Sequence, residues 1–364
     1  MVIDNTKGCI GMRRIHIDKL KTGMIISKPI YSSSGIKLLS EGAELTDKNI
    51  DKIKEIGLRH VYITDELSEG IVVEMMIKEE TRHETKRVLK NSVEKIKSGC
   101  FDSSEDIMKQ INTVIEEVLN NPRVMFSVQE IRDKNEYAFL HAINVCLISC
   151  VLGKRMNYNE VQLKHLALGA LLHDVGKIKL RIEVIKYRHE YLEDEYELYK
   201  LHTEEGFMMI QELPNASLTA ANVARQHHEN YDGTGFPLGL KGDAIHEFAR
   251  IVAIANEYDN LMFNLPMGMH IKNYEVFEAI IAKSFTFFDP FIVDIFKKSI
   301  SPYSIGIGVV LSNGQVGIVS RLNEEFPTRP VIRIVDEKTR TIIGEVDLVK
   351  NTTLFIQDEK DIDK

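Results

Sequence analysis

The stretch Gly169-Ala-Leu-Leu-His173-Asp174-Val-Gly176-Lys177 ends an apolar run in a His-Asp pair. A neutral imidazole offers one nitrogen. A carboxylate offers two oxygens that can bridge two ions, so the pair suits a divalent metal. Taken alone it fits equally a satisfied core histidine beside a helix-end acid. Its company argues for the metal. His141 lies in the apolar segment Tyr137-Ala-Phe-Leu-His-Ala-Ile-Asn-Val145, and His202 opens His-Thr-Glu-Glu-Gly206. His227-His228-Glu229 then leads into Asp232-Gly-Thr234-Gly235-Phe236-Pro237. Five of the 12 histidines, at 141, 173, 202, 227 and 228, thus lie on or beside segments of helical pattern. The other seven (16, 60, 83, 165, 189, 246 and 270) follow no such pattern and read as ordinary surface or core histidines. Histidine and carboxylate together favour iron, manganese or zinc over magnesium. Two such ions about 3.5–4 Å apart can make a nucleophile from water and place positive charge over an anion.

These residues must be held by helices. Asn159 to Leu172 is rich in Leu and Ala and free of Pro, so it reads as a mostly buried helix that stops at Gly176. From 123 to 300 the pattern is nearly all helical, with loops near 153–158, 176–190, 230–247 and 264–272. Ahead of it, residues 1–13 read as a loose leader and 14–65 as a small α+β module. In that module Met24 to Tyr31 is a short strand near an edge, given Pro29, and Ile36 to Leu39 returns as a second strand. Thr46 caps a helix bearing Ile50, Ile53 and Ile56, closed by Gly57, and His60 to Ile63 is a further strand. Residues 66–120 form a polar helical connector with the apolar stripe Val88, Leu89, Val93 and Ile96, broken between Gly99 and Ser104. It either pairs with a second copy or lies on the metal domain as a solvated helix. Asn121-Pro122 marks the start of the metal domain, 121–300. Residues 301–357 form a small β appendage. In it Asn313-Gly314 joins two β-rich runs, and strands follow at Pro330 to Val335 and Thr341 to Val346. Residues 358–364 form a charged, frayed tail. The fold class expected is multidomain and mainly α, with a small α+β module before the helices and a small β-sheet after them.

A chain of 364 residues is long enough for two or three domains. The net charge of −8 argues against a nucleic-acid polymer as partner, yet allows a local basic pocket for a small anionic ligand. Cysteines 9, 100, 146 and 150 show no metal or disulfide spacing, and Cys146 with Cys150 reads as a pair of packed core thiols. No run of 18 apolar residues is evident, so no membrane span is expected. No signal pattern opens the chain, and a cytoplasmic location is expected.

Taken together, the order His141, His173-Asp174 with Gly176-Lys177, His202 before Gly206, His227-His228-Glu229 and Asp232 to Pro237 resembles the HD-GYP family. These are the bacterial HD phosphohydrolases that degrade cyclic di-GMP. The resemblance covers about residues 121–300. The small module at 14–65 resembles one often fused to HD-GYP domains, and the β appendage resembles one that follows some of them. The resemblance implies two divalent ions, iron or manganese, with Asp174 bridging them. His141 and His173 would ligate one ion, and His202, His227 and His228 the other. Lys177 would hold a phosphate oxygen. Gly235, Phe236 and Pro237 would approach the substrate, and Asp232 would orient a ligand histidine.

The sequence also departs from the family pattern. The signature tyrosine is Phe236, and the arginine after His-His-Glu is Asn230. The acid that completes the metal site falls on Asn256, whose amide oxygen can still coordinate without charge. Asp259, one turn on, is a supporting acid or a substitute ligand. The segment that grips substrate reads Leu265-Pro266-Met267-Gly268, without a cation, and the Lys-Pro-Gly that follows the His-Asp helix reads Tyr187-Arg188-His189, where Arg188 or Lys186 would replace the lost charge. Tyr137 stands where three-metal members carry Glu, so two metals are expected. The function implied is a two-metal phosphodiesterase opening a cyclic dinucleotide, foremost cyclic di-GMP, to the linear dinucleotide or on to GMP. The departures keep two alternatives in view. One is a weakened receptor or scaffold that binds a nucleotide or protein partner. The other is a phosphohydrolase for another nucleotide or phosphoester. A homodimer or protein partner would engage through the N-terminal module or the connector.

Overall fold

A computed structural model describes residues 11–32, 37–56, 58, 60–73, 75–100, 104–120, 137–180, 191–214, 216–263 and 272–362. They fall into two compact units, one built from 75–120 and 137–299, the other from 11–73 and 300–362.

The first unit is helical. Helix α4 (Tyr137–Arg155) is its axis, buried without interruption from His141 to Gly153. A helix that is apolar on every side must be surrounded, and α5 (Glu160–Leu172), α9 (Glu247–Phe263) and α11 (Pro290–Ser299) pack around it. With a mean hydropathy of 1.5, α4 is long and apolar enough to cross a membrane, which the sequence reading did not anticipate; 72% of its most apolar 18-residue stretch is buried. Asn159 opens α5 with a reciprocal cap, its side chain accepting from the Gln162 N–H while the Gln162 side chain accepts from that of Asn159. Around these lie α6 (Glu193–Lys200), α7 (His202–Gln211), α8 (Leu218–Gln226) and α10 (Asn273–Ala282).

The connector is part of this unit. Helix α2 (Glu79–Lys97) packs on α3 (Ser104–Asn120) and on α4, and α3 packs on α5. The buried line on α2 is Thr81, Thr85, Leu89, Ser92 and Ile96. Three of these five are small polar residues, which is why the apolar stripe read from sequence was narrow. The Thr85 hydroxyl donates to the Thr81 carbonyl at 2.7 Å, and the Gln110 amide donates to Thr85 at 2.8 Å.

The second unit brings the two chain ends together. Strand β5 (His60–Thr64) lies between β1 (Arg13–His16) and β2 (Ile25–Ile26), antiparallel to both. Helix α1 (Asp47–Glu55) is capped by Thr46, as expected, while Gly57 and Ser33 to Ile36 lie outside the described residues. The single strand read from Met24 to Tyr31 is two: β2 ends before Pro29, and β3 (Ile30–Tyr31) pairs instead with β4 (Lys37–Leu39). A proline cannot donate to a ladder, so the pairing changes partner there.

Strands β6 (Gly308–Leu311), β7 (Val316–Arg321), β8 (Val331–Asp336), β9 (Thr341–Asp347) and β10 (Ile356–Glu359) form one antiparallel sheet in the order β10-β6-β7-β8-β9. Two expectations are corrected. The leader is not loose at its end, because Arg13 is 1% exposed, its Nε donating to Asp65 at 2.8 Å and its Nη1 to the Ile362 carbonyl at 2.9 Å. The tail is not frayed from 358, because β10 pairs with β6 and Ile362 is buried with Leu67, Ile71, Val316, Ile318 and Val335.

Candidate metal centre

Three helix ends and one helix interior deliver the five histidines. His173 follows the last residue of α5, His202 is the first residue of α7, and His227 with His228 follow α8. His141 projects from the first half of α4. The local geometry fixes each ring. His173, His202 and His227 donate from Nδ1 to the carbonyls of Ala170, Tyr199 and Ala224, at 2.7, 2.6 and 2.9 Å. A carbonyl only accepts, so Nδ1 carries the proton and Nε2 keeps its lone pair.

Those Nε2 atoms surround Asp174, and they divide between its two oxygens. Oδ1 faces His202 at 3.5 Å and His227 at 3.6 Å. Oδ2 faces His173 at 3.5 Å and His141 at 3.9 Å. Two sets of possible ligands result, Asp174 with His202, His227 and His228, and Asp174 with His141 and His173. Within each set the ligand atoms lie within 4.8 Å of one another. His173 Nε2 and Asp174 Oδ1 are buried and have no hydrogen-bond partner. Unpaired buried polar atoms are costly, and divalent ions between the histidines and the carboxylate would complete them.

The electrostatics suit ions. Burial pushes the imidazoles of His173 and His228 well below their usual pKa and that of His202 down to about 3, so all three are neutral at pH 7 and could bind a cation. Burial alone would raise Asp174, but the Lys177 ammonium, 2.6 Å from Oδ2, and the surrounding imidazoles hold it well below the carboxylate range. Burial works against the Lys177 ammonium too, and Asp174 outweighs it, so its pKa is raised.

His141 is oriented from behind. Its Nδ1 donates to Asp259 Oδ2 at 2.6 Å, and Asp259 Oδ1 accepts from Asn144 at 2.9 Å. Arg82 of α2 in turn donates to Asn144 at 3.0 Å. Asp259, 0% exposed, is therefore spent on His141 and Asn144. Asn256 is buried one turn earlier on α9, and its amide oxygen accepts from Asn260 at 2.9 Å.

The glycine-rich loop folds back on His228. The Phe236 ring stacks on that imidazole at 4.6 Å and 17°, so the ring that replaces tyrosine still serves a packing role. A side chain at Gly235 would meet the Asn230 nitrogen at 2.2 Å. Glu229 locks the loop by accepting from the backbone N–H of Leu238 and Leu240 at 2.7 and 2.9 Å.

Two readings are corrected here. Among the described residues Asp232 is shown with no histidine: its Oδ1 accepts from the N–H and hydroxyl of Thr234, at 2.9 and 2.6 Å, closing its own turn. Gly176 does not end α5, which stops at Leu172. It lies in a short 3-10 helix, Val175–Lys179, where a Cβ would meet the His202 carbonyl oxygen at 2.0 Å.

The centre opens on a cavity of 790 Å³ whose walls include His141, Asp174, Lys177, His228, Gly235, Phe236 and Asn256. Pro237 follows Phe236 in the same loop. Arg188, Lys186 and Leu265 to Gly268 lie outside the described residues. The sequence reading missed Tyr196, Tyr199, Glu257, Lys283 and Phe287, which also line the cavity. The i, i+3 spacing of Tyr196 and Tyr199 beside His202 is a signal that could have marked one aromatic wall. Glu257 and Lys283 are far apart in sequence, and nothing local pairs them.

Comparison with known proteins agrees with this geometry. Residues 125–292 match the HD domain model, and residues 308–363 match a KOW domain associated with HD domain. A cyclic di-GMP phosphodiesterase of Pseudomonas aeruginosa is 24% identical over 354 residues, 89% of this chain and 85% of the relative. A cyclic di-GMP phosphodiesterase response regulator of Xanthomonas campestris is 28% identical over 57% of this chain, which spans about half (54%) of that relative. A 3'3'-cGAMP-specific phosphodiesterase of Vibrio cholerae is 31% identical over 40% of this chain and 33% of its own length.

Proposed function

Because the chain belongs to the HD domain family, we propose that it is an HD-GYP-type phosphodiesterase using two divalent ions, iron or manganese, to open a cyclic dinucleotide, foremost cyclic di-GMP. The observation that carries the reading is the division of four imidazole nitrogens between the two oxygens of Asp174. When bound, a pair of ions supplies a nucleophile from water at neutral pH and positive charge over the phosphoryl group. The chain's own part is to hold and to position. The Nδ1 bonds to backbone carbonyls and to Asp259 fix the rings of His141, His173, His202 and His227 so that their Nε2 atoms face Asp174. His141 and His173 would hold one ion and His202, His227 and His228 the other, with Asp174 shared. Asn256 would lend a neutral oxygen by releasing Asn260. Lys177 stands beside the shared carboxylate and would hold a phosphate oxygen once the ions draw Asp174 away. The relatives named for cyclic di-GMP and for 3'3'-cGAMP support a cyclic dinucleotide as the substrate class.

The test is turnover of cyclic di-GMP and 3'3'-cGAMP by protein prepared anaerobically, with Lys177→Ala beside it at matched metal loading. Losing a charge-assisted contact to phosphate costs about 1.5–3 kcal/mol, or roughly ten- to 150-fold in kcat/KM. Metal content should not fall, because an ammonium is no ligand. No turnover above a metal-free control would replace the enzyme by a receptor that keeps the scaffold.

A further inference from the structure

We propose that Glu257, Lys283 and Phe287 form a nucleobase pocket in the wall of the catalytic cavity, and that this pocket selects guanine. The inference rests on the reading above for its substrate class. Glu257 follows Asn256 on α9, and Lys283 follows the last residue of α10. The two side chains form a close ion pair, and each is about one-third exposed, at 32% and 33%. Both line the cavity that Asp174 and Lys177 line. The Lys283 ammonium lies 5.2 Å from the centre of the Phe287 ring, which is 44% exposed and borders the same space. The segment bearing that ring is held in place. The Tyr231 N–H donates to the Phe287 carbonyl at 3.0 Å, and the Asp232 N–H donates to the Thr286 carbonyl at 2.8 Å. This ties it to the glycine-rich loop beside His228.

A bridge serving only to tie α9 to α10 would not need to lie open in a cavity wall beside a bare aromatic face. The three groups match one ligand by chemistry. A base stacks on an aromatic ring whatever its identity, so Phe287 supplies grip. The pair supplies choice. Along its Watson–Crick edge guanine presents the O6 acceptor and then two adjacent donors, N1–H and the N2 amino group. An ammonium suits the first, and a carboxylate takes both donors at once in a bidentate, charge-assisted pair. Adenine offers that carboxylate one donor only, so one of its oxygens is left without a partner. A buried or half-buried group left unpaired is how a polar site rejects the wrong ligand.

The experiment is equilibrium binding of GMP and AMP to the full, metal-loaded chain. The phosphate and ribose are common to both probes, so the ratio of affinities reports the base. Neither probe needs to be hydrolysed, so the result stands apart from turnover. The parent should bind GMP at least about tenfold more tightly than AMP. Glu257→Gln should bring the ratio close to one while leaving AMP affinity and metal content unchanged. Lys283→Met should weaken GMP more than AMP, and it decides the matter if Glu257→Gln fails to fold. Equal affinities in the parent, or a ratio unchanged in both variants, would overturn the pocket. Absence of cyclic dinucleotide turnover with the GMP preference intact would strike the catalytic reading and leave this one standing.

Discussion

Asp174 must serve two groups of histidines at once, and the residues around it show how far the sequence departs from a fully charged site. Asn256 places an amide in the cavity wall at the position where the resemblance to HD-GYP proteins implies an acid. Asn256→Asp would add a charged oxygen to the cavity wall that His141 and Asp174 also line, so it should tighten one ion, with activity level or higher. A joint loss of metal and activity, by elemental analysis and turnover, would show that the asparagine is the tuned choice. Asp259→Asn keeps the shape and removes the charge that orients His141. Losing such a supporting partner typically costs 10- to 100-fold in metal affinity. Titration of the variant with the metal should show one weakened ion of two, and unchanged binding of both would refute this role. At this scale the sequence was informative, because ligand histidines must recur in order on helices. What escaped it was pairing in space. Asp259 was legible as a supporting acid, but nothing in the separate segments of Arg82 and Asn144 announces that they join it in one chain of hydrogen bonds to His141.

At the scale of elements, the centre depends on helix ends that approach closely. The His-Asp turn after α5 meets the start of α7 across Gly176, whose absent Cβ leaves room for the His202 carbonyl oxygen. Gly176→Ala should force the two apart. The expected result is a loss of stability of about 1–3 kcal/mol, the usual cost of overpacking. Metal content should fall with it, since His202 moves with its backbone. A variant with the parental melting temperature and metal content would contradict the role given to this glycine. Sequence pattern placed α5 well, because its cap and its apolar run are local signals. It misjudged α2, whose buried line is more Thr and Ser than Leu, and it read Gly176 as a helix stop because a glycine after an apolar run usually is one.

At the scale of the molecule, the helical unit carries the whole candidate site, from Leu89 on α2 to Phe288 before α11. The other unit is closed by contacts between residues as distant as Arg13 and Ile362, 349 positions apart. Such pairing leaves no periodic trace, so Arg13 at the start of β1 was read into the leader, and Asp358 and Glu359 at the end of β10 into the tail. The buried axis α4 was legible as a helix, although its burial on every side came only from the packing.

The claim on which the account turns is that one carboxylate shares two ions. Metal stoichiometry of the full chain, purified without oxygen and reconstituted with iron or manganese, measures it directly, with Asp174→Ala as the comparison. The account predicts two ions per chain in the parent and loss of most of the metal in the variant. Well under one ion per chain in the parent, or full loading of the variant, would contradict it.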